Sequence, residues 1–169
     1  MDIEGFGESL ISQLVNTGMV RNYSDIYSLN EKALAQLAST SVRSDGKSIT
    51  RRFGQKTATK LVDQINLSKN KELWRLIYGL GIRHVGEQGA RVLADEFKSM
   101  SAIVSATEEQ LQEKSDIGPV VAASVRSYFS EAENLALIDR LREAGVTMEV
   151  IAEFPIVGTS KNGPLTGNI

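Results

Sequence analysis

A turn that contains glycine and leads at once into a helical pattern occurs four times in this chain of 169 residues. In every copy a bulky apolar residue stands directly before the last glycine, and in three copies an alanine follows that glycine by four positions. One glycine at a helix end is an ordinary turn, but four copies predict a repeated unit. The turns lie at residues 4–8, 52–56, 81–86 and 116–119, with Phe6, Phe53, Val85 and Ile117 before the last glycine.

The residue types in these turns have a common physical meaning. Glycine permits a positive φ and lets another molecule approach the backbone closely. The apolar residue fixes the turn, and the alanine lets two helices cross at a short distance. The helix that follows presents free backbone N–H groups, which bind a phosphate oxygen without reading a base. The pattern predicts helix-hairpin-helix motifs, of which the second and fourth are imperfect, because Arg52 and Asp116 replace the expected first glycine. The charge of Asp116 is expected to weaken a phosphate site.

The apolar periodicity predicts an all-α fold made of short helices. We expect four hairpins in two paired units, at residues 1–70 and 71–150, and a turn-rich linker at 151–169. Asn30 and the pair Thr107 and Gln110 are expected to cap helices, and Pro119 is expected to open one. The predicted helices are 8–17, 31–38, 55–68, 72–79, 87–97, a short one around Leu111, 119–129 and 131–144, with a short strand at 146–151 and an exposed loop at 41–48.

Composition excludes several classes of site. The chain has no cysteine and one histidine, His84. Disulfides, cysteine-based zinc sites, cysteine nucleophiles and multi-histidine metal sites are therefore excluded, and a Ser–His–Asp set has no support. No apolar run approaches the roughly 20 residues of a membrane helix, and no basic signal segment opens the chain. These features favour a soluble protein of the reduced cytoplasm.

Charge is unevenly distributed along the chain. Residues 43–83 contain ten basic and three acidic residues, a net charge of +7, whereas the rest of the chain has a net charge of −9. One interpretation is a solvated helix face beside a polar loop. The other is a patch that binds phosphates. Charge alone does not decide between them.

Three segments resemble the helix-hairpin-helix region of bacterial NAD-dependent DNA ligases. They are residues 1–8 (MDIEGFGE), 80–87 (LGIRHVGE) and 117–122 (IGPVVA), and the second is the most specific. Their order and spacing also match, so the resemblance covers residues 1–150. Residues 40–49 look like an insertion relative to the second repeat of that family. The tail at 163–169 is similar to the approach to the BRCT domain of such ligases.

The resemblance implies an enzyme that seals nicks in DNA replication and repair, using NAD and a divalent metal such as Mg²⁺. Such ligases carry a KxDG adenylation motif and a four-cysteine zinc finger, and this chain has neither. We therefore expect a non-catalytic fragment of a bacterial cytoplasmic enzyme. Its expected partners are double-stranded DNA, nicked in particular, and the other domains of the ligase; we expect a monomer that does not bind membranes.

The resemblance also implies that the turns contact DNA phosphates across the minor groove, without sequence preference. Charge-assisted contacts are expected from Arg52, Lys56 and Arg83, and Lys60 shares the face of Lys56. His84 belongs to the third turn, and we also expect it to have a structural role. Trp74 is expected to lie in the core. Two alternatives stay open: a scaffold domain of the same fold, and a repair nuclease subunit or Holliday-junction protein. The expected DNA-binding residues are Gly5, Phe6, Gly7, Arg52, Gly54, Lys56, Gly81, Ile82, Arg83, His84, Gly86 and Gly118.

Overall fold

The computed structural model of the protein describes residues 1–152, so most of the expected linker at 151–169 lies outside the described residues. The described part is mostly helical, with one two-stranded antiparallel sheet and one 3₁₀ helix, Tyr23–Ser28. The strands are β1 (Ala38–Val42) and β2 (Ser48–Arg52). The α-helices are α1 (Glu8–Asn16), α2 (Glu31–Ala35), α3 (Gly54–Ser68), α4 (Leu73–Gly79), α5 (Glu87–Phe97), α6 (Met100–Ser105), α7 (Glu108–Gln112), α8 (Pro119–Ser130) and α9 (Ala132–Glu143).

The caps read from the sequence are present. The Asn30 side chain accepts a hydrogen bond from the Ala33 N–H at 2.9 Å, and Thr107 and Gln110 form a reciprocal capping box. Pro119 is the first residue of α8, where its missing N–H costs no helical hydrogen bond. Sequence analysis missed α6, although Ser99 caps it, and the 3₁₀ helix.

Residues 41–48 are exposed, as expected, but the prediction of a loop without strands is wrong, because this segment is the distal part of a β-hairpin. β1 and β2 pair from Ala38 with Arg52 to Val42 with Ser48. Between them residues 43–46 form a turn in which the Gly46 N–H donates to the Arg43 carbonyl at 2.9 Å, and Gly46 has a φ of +76°. A short loop that ends on a glycine with positive φ is a common hairpin connection, which the polar composition concealed. The fold is therefore not purely α, and α2 ends before residue 38.

The prediction of a strand at residues 146–151 is also wrong. This segment forms only an isolated bridge between Ser99 and Glu149. The Met100 N–H donates to the Met148 carbonyl, and the Val150 N–H donates to the Lys98 carbonyl, each at 2.8 Å. A single bridge satisfies these backbone groups at the helix ends without starting a sheet.

Two clusters of buried apolar side chains hold the described residues together. The first joins α1, α2 and α3, and Phe6 and Phe53 pack against it. The second extends from Leu73 to Met148 and includes Val85 and Ile117. Each fully buried leucine or isoleucine contributes about 1.5–3 kcal/mol relative to an exposed one. The four apolar turn residues therefore anchor the four turns in these clusters.

Contacts also join the first 30 residues to later elements. The Arg140 guanidinium donates to the Ser24 hydroxyl at 3.1 Å, and Arg75 forms a 2.9 Å ion pair with Asp2. Tyr27 packs against the second cluster, with its hydroxyl 3.2 Å from that of Ser68. Burial raises the pKa of Tyr27, so the phenol stays neutral at physiological pH.

The expected count of four complete hairpins is not confirmed. Two turns join paired helices, α4 with α5 and α7 with α8. Between α2 and α3 the β-hairpin intervenes, and residues 1–7 contain no helix before α1. The described residues therefore contain two complete helix-turn-helix units and two turns that each lead into a helix. Within residues 1–152 no helix has the length and apolar character needed to cross a bilayer.

Candidate nucleic-acid interface

Three helices begin in the same way, on a glycine with extended backbone. Gly7, Gly86 and Gly118 precede α1, α5 and α8 with φ of −77°, −84° and −78° and ψ of 168°, −171° and 171°. Within the described chain no side chain caps these starts. Their free first-turn N–H groups and the positive end of the helix dipole therefore face outward.

The fold itself does not require glycine at these three positions. The three φ values are negative, which any residue adopts, and an added Cβ would have no described atom within 4 Å. By contrast, Gly5 has a φ of +91°, and a Cβ there would lie 2.8 Å from Leu61 Cδ2. Gly5 is thus explained by the fold, whereas the three helix-start glycines leave open space beside free N–H groups.

The third turn places two side chains inward and two outward. Ile82 and Val85 are buried, and the Val85 N–H donates to the Ile82 carbonyl at 3.0 Å. Arg83 and His84 between them are exposed, and His84 has a φ of +63°. The turn therefore presents Arg83 at the surface beside the start of α5.

His84 occupies the place that the first glycine has in the first turn. It stands two residues before Gly86, as Gly5 stands two residues before Gly7, and both have positive φ. The first glycine of this turn in the sequence is Gly81, which stands five residues before Gly86. Gly81 also has a positive φ, of +68°, but it ends the preceding helix instead. The structural role expected for His84 thus consists of a left-handed turn conformation.

The second turn has a different backbone from the other three. Phe53 is helical, with φ of −61°, and Gly54 takes a φ of +75° as α3 begins. Arg52, exposed at the end of β2, replaces the first glycine. The extended glycine start is therefore absent from α3, although the space beside Gly54 is open.

The fourth turn keeps the extended glycine start, although Asp116 replaces the first glycine and does not have the positive φ of Gly5 and His84. Ile117 is buried, its N–H donates to the Lys114 carbonyl at 3.0 Å, and Asp116 is exposed. Because Pro119 lacks an N–H, α8 offers one donor fewer than α1 or α5. The fourth turn is thus the weakest of the three as an anion site.

The basic residues expected at the interface are available to an outside partner. Arg52, Lys56 and Arg83 are exposed and form no ion pair with any residue of the described range. Lys60 lines a surface groove together with Gly5 and Phe53, so it links the first turn to α3. By contrast, three arginines do form ion pairs with acidic residues, namely Arg75, Arg91 and Arg142.

Trp74 lies at the edge of the core instead of inside it, which corrects the expectation for this residue. Its ring is half-buried, and the guanidinium carbons of Arg91 and Arg75 lie 3.6 and 4.5 Å from the ring centroid. Such cation–π contacts are worth about 0.5–1 kcal/mol at exposed sites. Glu87 and Glu72 hold the two arginines in place through ion pairs.

The three alanines expected at helix crossings are fully buried. Ala58, Ala90 and Ala122 each have no exposed surface. In the first turn the equivalent residue is Ile11, which is 46% exposed and lines a groove together with Tyr23 and Ile26.

Comparison with known proteins gives two findings. A family model described as helix-hairpin-helix motif matches residues 75–138, a segment that begins within α4 and includes both turns that join paired helices. Curated relatives that bear the name DNA ligase match most of the chain. They include proteins of Acidobacterium capsulatum (42% identity over 86% of the chain), Desulforamulus reducens (43% over 88%) and Carboxydothermus hydrogenoformans (40% over 90%). The chain spans only about a fifth of the length of these relatives (20%, 20% and 21%).

Proposed function

We propose that this chain, a fragment of a DNA ligase, grips duplex DNA by its phosphate backbone without preference for base sequence. The observation that carries the proposal is the shared start of α1, α5 and α8. Each has an extended glycine, uncapped within residues 1–152, with open space where a side chain would stand.

The chemistry of these helix starts suits a phosphate. Free N–H groups and the helix dipole attract an anion, and the missing side chain lets a phosphate oxygen reach hydrogen-bonding distance. Because every nucleotide carries the same phosphate, such contacts position the protein without reading sequence. In this proposal Gly5, Phe6 and Gly7 form the first contact, the segment from Gly81 to Gly86 the second, and Gly118 the third.

Exposed cations supplement the backbone contacts. Arg83 stands beside the start of α5, and Lys56 lies in the first turn of α3 next to Gly54. Arg52 directly precedes that turn. Cations so placed form charge-assisted hydrogen bonds with phosphate oxygens, and each contact releases counterions from the DNA. We therefore infer binding that weakens steeply with salt, and the resemblance to ligases implies that it spans the minor groove.

For the parent protein we propose an NAD-dependent ligase of the bacterial cytoplasm that seals nicks during replication and repair. This chain would act in it as a monomeric DNA grip beside the other domains, without catalysing adenylation or sealing. NAD and Mg²⁺ would bind elsewhere. A four-thiolate zinc site does not fit this chain, because its sequence has no cysteine.

The exposed apolar face of α1 favours a second candidate, a scaffold surface for other domains of the ligase. Ile11 is 46% exposed and Val15 is 53% exposed. The negative charge outside residues 43–83 and the exposed carboxylate of Asp116 also favour it. Under this alternative the folded chain would not bind DNA by itself.

Fluorescence anisotropy with labelled duplexes, intact and nicked, tests the proposal. Between about 50 and 200 mM salt we expect a steep loss of affinity, equal for two duplexes of unrelated sequence. The variant Lys56→Gln/Arg83→Gln should bind more weakly, with a shallower salt dependence. The control Arg21→Gln/Lys98→Gln removes two exposed cations that come after the C-terminal ends of α1 and α5, away from the glycine starts of these helices. This control should bind like the unmodified chain. Absence of binding at the lower salt by the folded protein would favour the scaffold candidate.

A further inference from the structure

The hairpin of β1 and β2 contributes little to the apolar core. Neither Ala38 nor any residue from 40 to 52 belongs to either buried cluster. From Thr40 to Arg52 every residue is exposed except Ile49, which is half-buried. A two-stranded ribbon of this kind has little stability of its own. Its side chains therefore stay available to an outside partner.

The charge of the hairpin is almost entirely of one sign. It carries four basic residues and one acidic residue, a net charge of +3. Arg43 and Lys47 face each other across the tip, where the Arg43 N–H donates to the Lys47 carbonyl at 2.9 Å. The one acid, Asp45, has a structural task, because its carboxylate accepts the Lys47 N–H at 3.1 Å.

The base of the hairpin is fixed against the body of the protein. The Phe53 N–H donates to the carbonyl of Leu37 at 2.9 Å, and both side chains pack in the first apolar cluster. β2 then leads directly into α3, whose first turn carries Lys56. Cations therefore continue from the tip of the hairpin to the start of α3.

The length of the hairpin sets how far it can reach. Five residues per strand at about 3.4 Å each give an arm of about 17 Å. Phosphates of one DNA strand rise by about 3.4 Å each along the helix axis, so an arm parallel to the axis covers the axial rise of about five of them. Charged residues also protect strand edges from aggregation, but mixed charges would serve that purpose equally.

We propose that the hairpin from Ala38 to Arg52 is an arm that places Arg43 and Lys47 on phosphates of the duplex beyond the contacts of α3. This inference rests on the proposed function and adds a contact surface outside the helix starts. The Thr40 and Thr50 hydroxyls, 3.2 Å apart, stiffen the ribbon between its base and its charged tip.

A salt titration of the full chain tests the arm. In Arg43→Gln/Lys47→Gln the loss of two phosphate contacts should make the slope of log K against log salt shallower by about 1.8 and weaken binding at 0.1 M salt by about tenfold or more. The same control as above, Arg21→Gln/Lys98→Gln, should keep the original slope. Both tip residues are exposed, so the thermal unfolding temperature should not change.

Crosslinking locates the contact independently of affinity. Because the chain lacks cysteine, Ser44→Cys can carry a single photo-crosslinker at the tip. We expect it to crosslink duplex DNA, and the same group on Ser130→Cys, at the far end of α8 from Gly118, to fail.

The outcomes separate the arm from the function on which it rests. Salt-sensitive binding by the unmodified chain, with an unchanged slope in the tip variant and no crosslink from position 44, overturns the arm alone. An acidic protein partner of the hairpin would give that result. Absence of DNA binding by the unmodified chain overturns both proposals.

Discussion

His84 occupies the left-handed position of the third turn, a position for which the glycine pattern of the sequence favours Gly81. A non-glycine residue in the left-handed region costs roughly 1–2 kcal/mol, least for asparagine and aspartate and most for β-branched side chains. His84 adopts this conformation at φ +63°, between buried Ile82 and buried Val85. Anchoring on both sides therefore imposes the conformation on the residue between them.

Two substitutions of His84 measure this strain. We expect His84→Val to lower the free energy of unfolding by about 1–2 kcal/mol relative to His84→Asn, because valine is β-branched and asparagine tolerates positive φ. Both variants remove the imidazole, so its loss cancels in the comparison. Urea denaturation gives the two values, and equal stability would show that the turn does not impose this conformation.

At the residue scale, sequence reasoning predicted the buried apolar residues of the turns better than the backbone conformation of the third turn. Phe6, Phe53, Val85 and Ile117 pack as expected, because a bulky apolar residue beside glycine carries its own signal. The residue type of His84 carries no such signal, and the pair of Gly81 and Gly86 pointed to Gly81 as the first residue of the turn pattern. Counting two residues back from Gly86, as from Gly7 to Gly5, would have found His84.

At the scale of elements, the packing of α4 on α5 depends on a residue without side-chain bulk. Ala90, four residues after Gly86, is fully buried in the apolar cluster that α4 and α5 share. The neighbouring turn therefore keeps its geometry only while the helices stay close. A larger side chain would push α5 away and move Gly86 with it.

Substitution of Ala90 by leucine tests this packing. Overpacking should cost about 1–3 kcal/mol of stability, whereas Gln88→Leu, exposed on the same helix, should change it little. Thermal or urea unfolding distinguishes the two. A stability loss no larger for Ala90→Leu than for Gln88→Leu would contradict a tight crossing at this point.

Helices were predicted more reliably than the β-hairpin. The period of apolar residues in α3 or α5 is visible in the sequence alone. The hairpin from Ala38 to Arg52 buries almost nothing, so no apolar pattern marks it, and its one signal is the short loop with Gly46. The spacing of apolar residues therefore does not predict a hairpin that has no buried face.

At the scale of the whole molecule, the surface proposed for DNA combines features that are far apart in sequence. The net +7 of residues 43–83 could be read directly from the sequence. Whether Arg83 pairs with an acid, or whether space is open beside Gly86, depends on tertiary packing and required the structure. The repeat therefore predicted which turns are candidates for binding DNA, and the packing indicates at which of them the fold itself does not require glycine.

The most direct test of the account is the DNA affinity of Gly7→Asn/Gly86→Asn/Gly118→Asn. Asparagine is a preferred N-cap and adds no charge, so folding should be as stable as before or more stable by a few tenths of a kcal/mol per site. Its side chain would occupy the free N–H groups and fill the space beside them. We expect duplex binding at about 50 mM salt to weaken by at least tenfold, while Ser130→Asn binds like the unmodified chain. Unchanged affinity in the folded triple variant would contradict phosphate binding at the three helix starts.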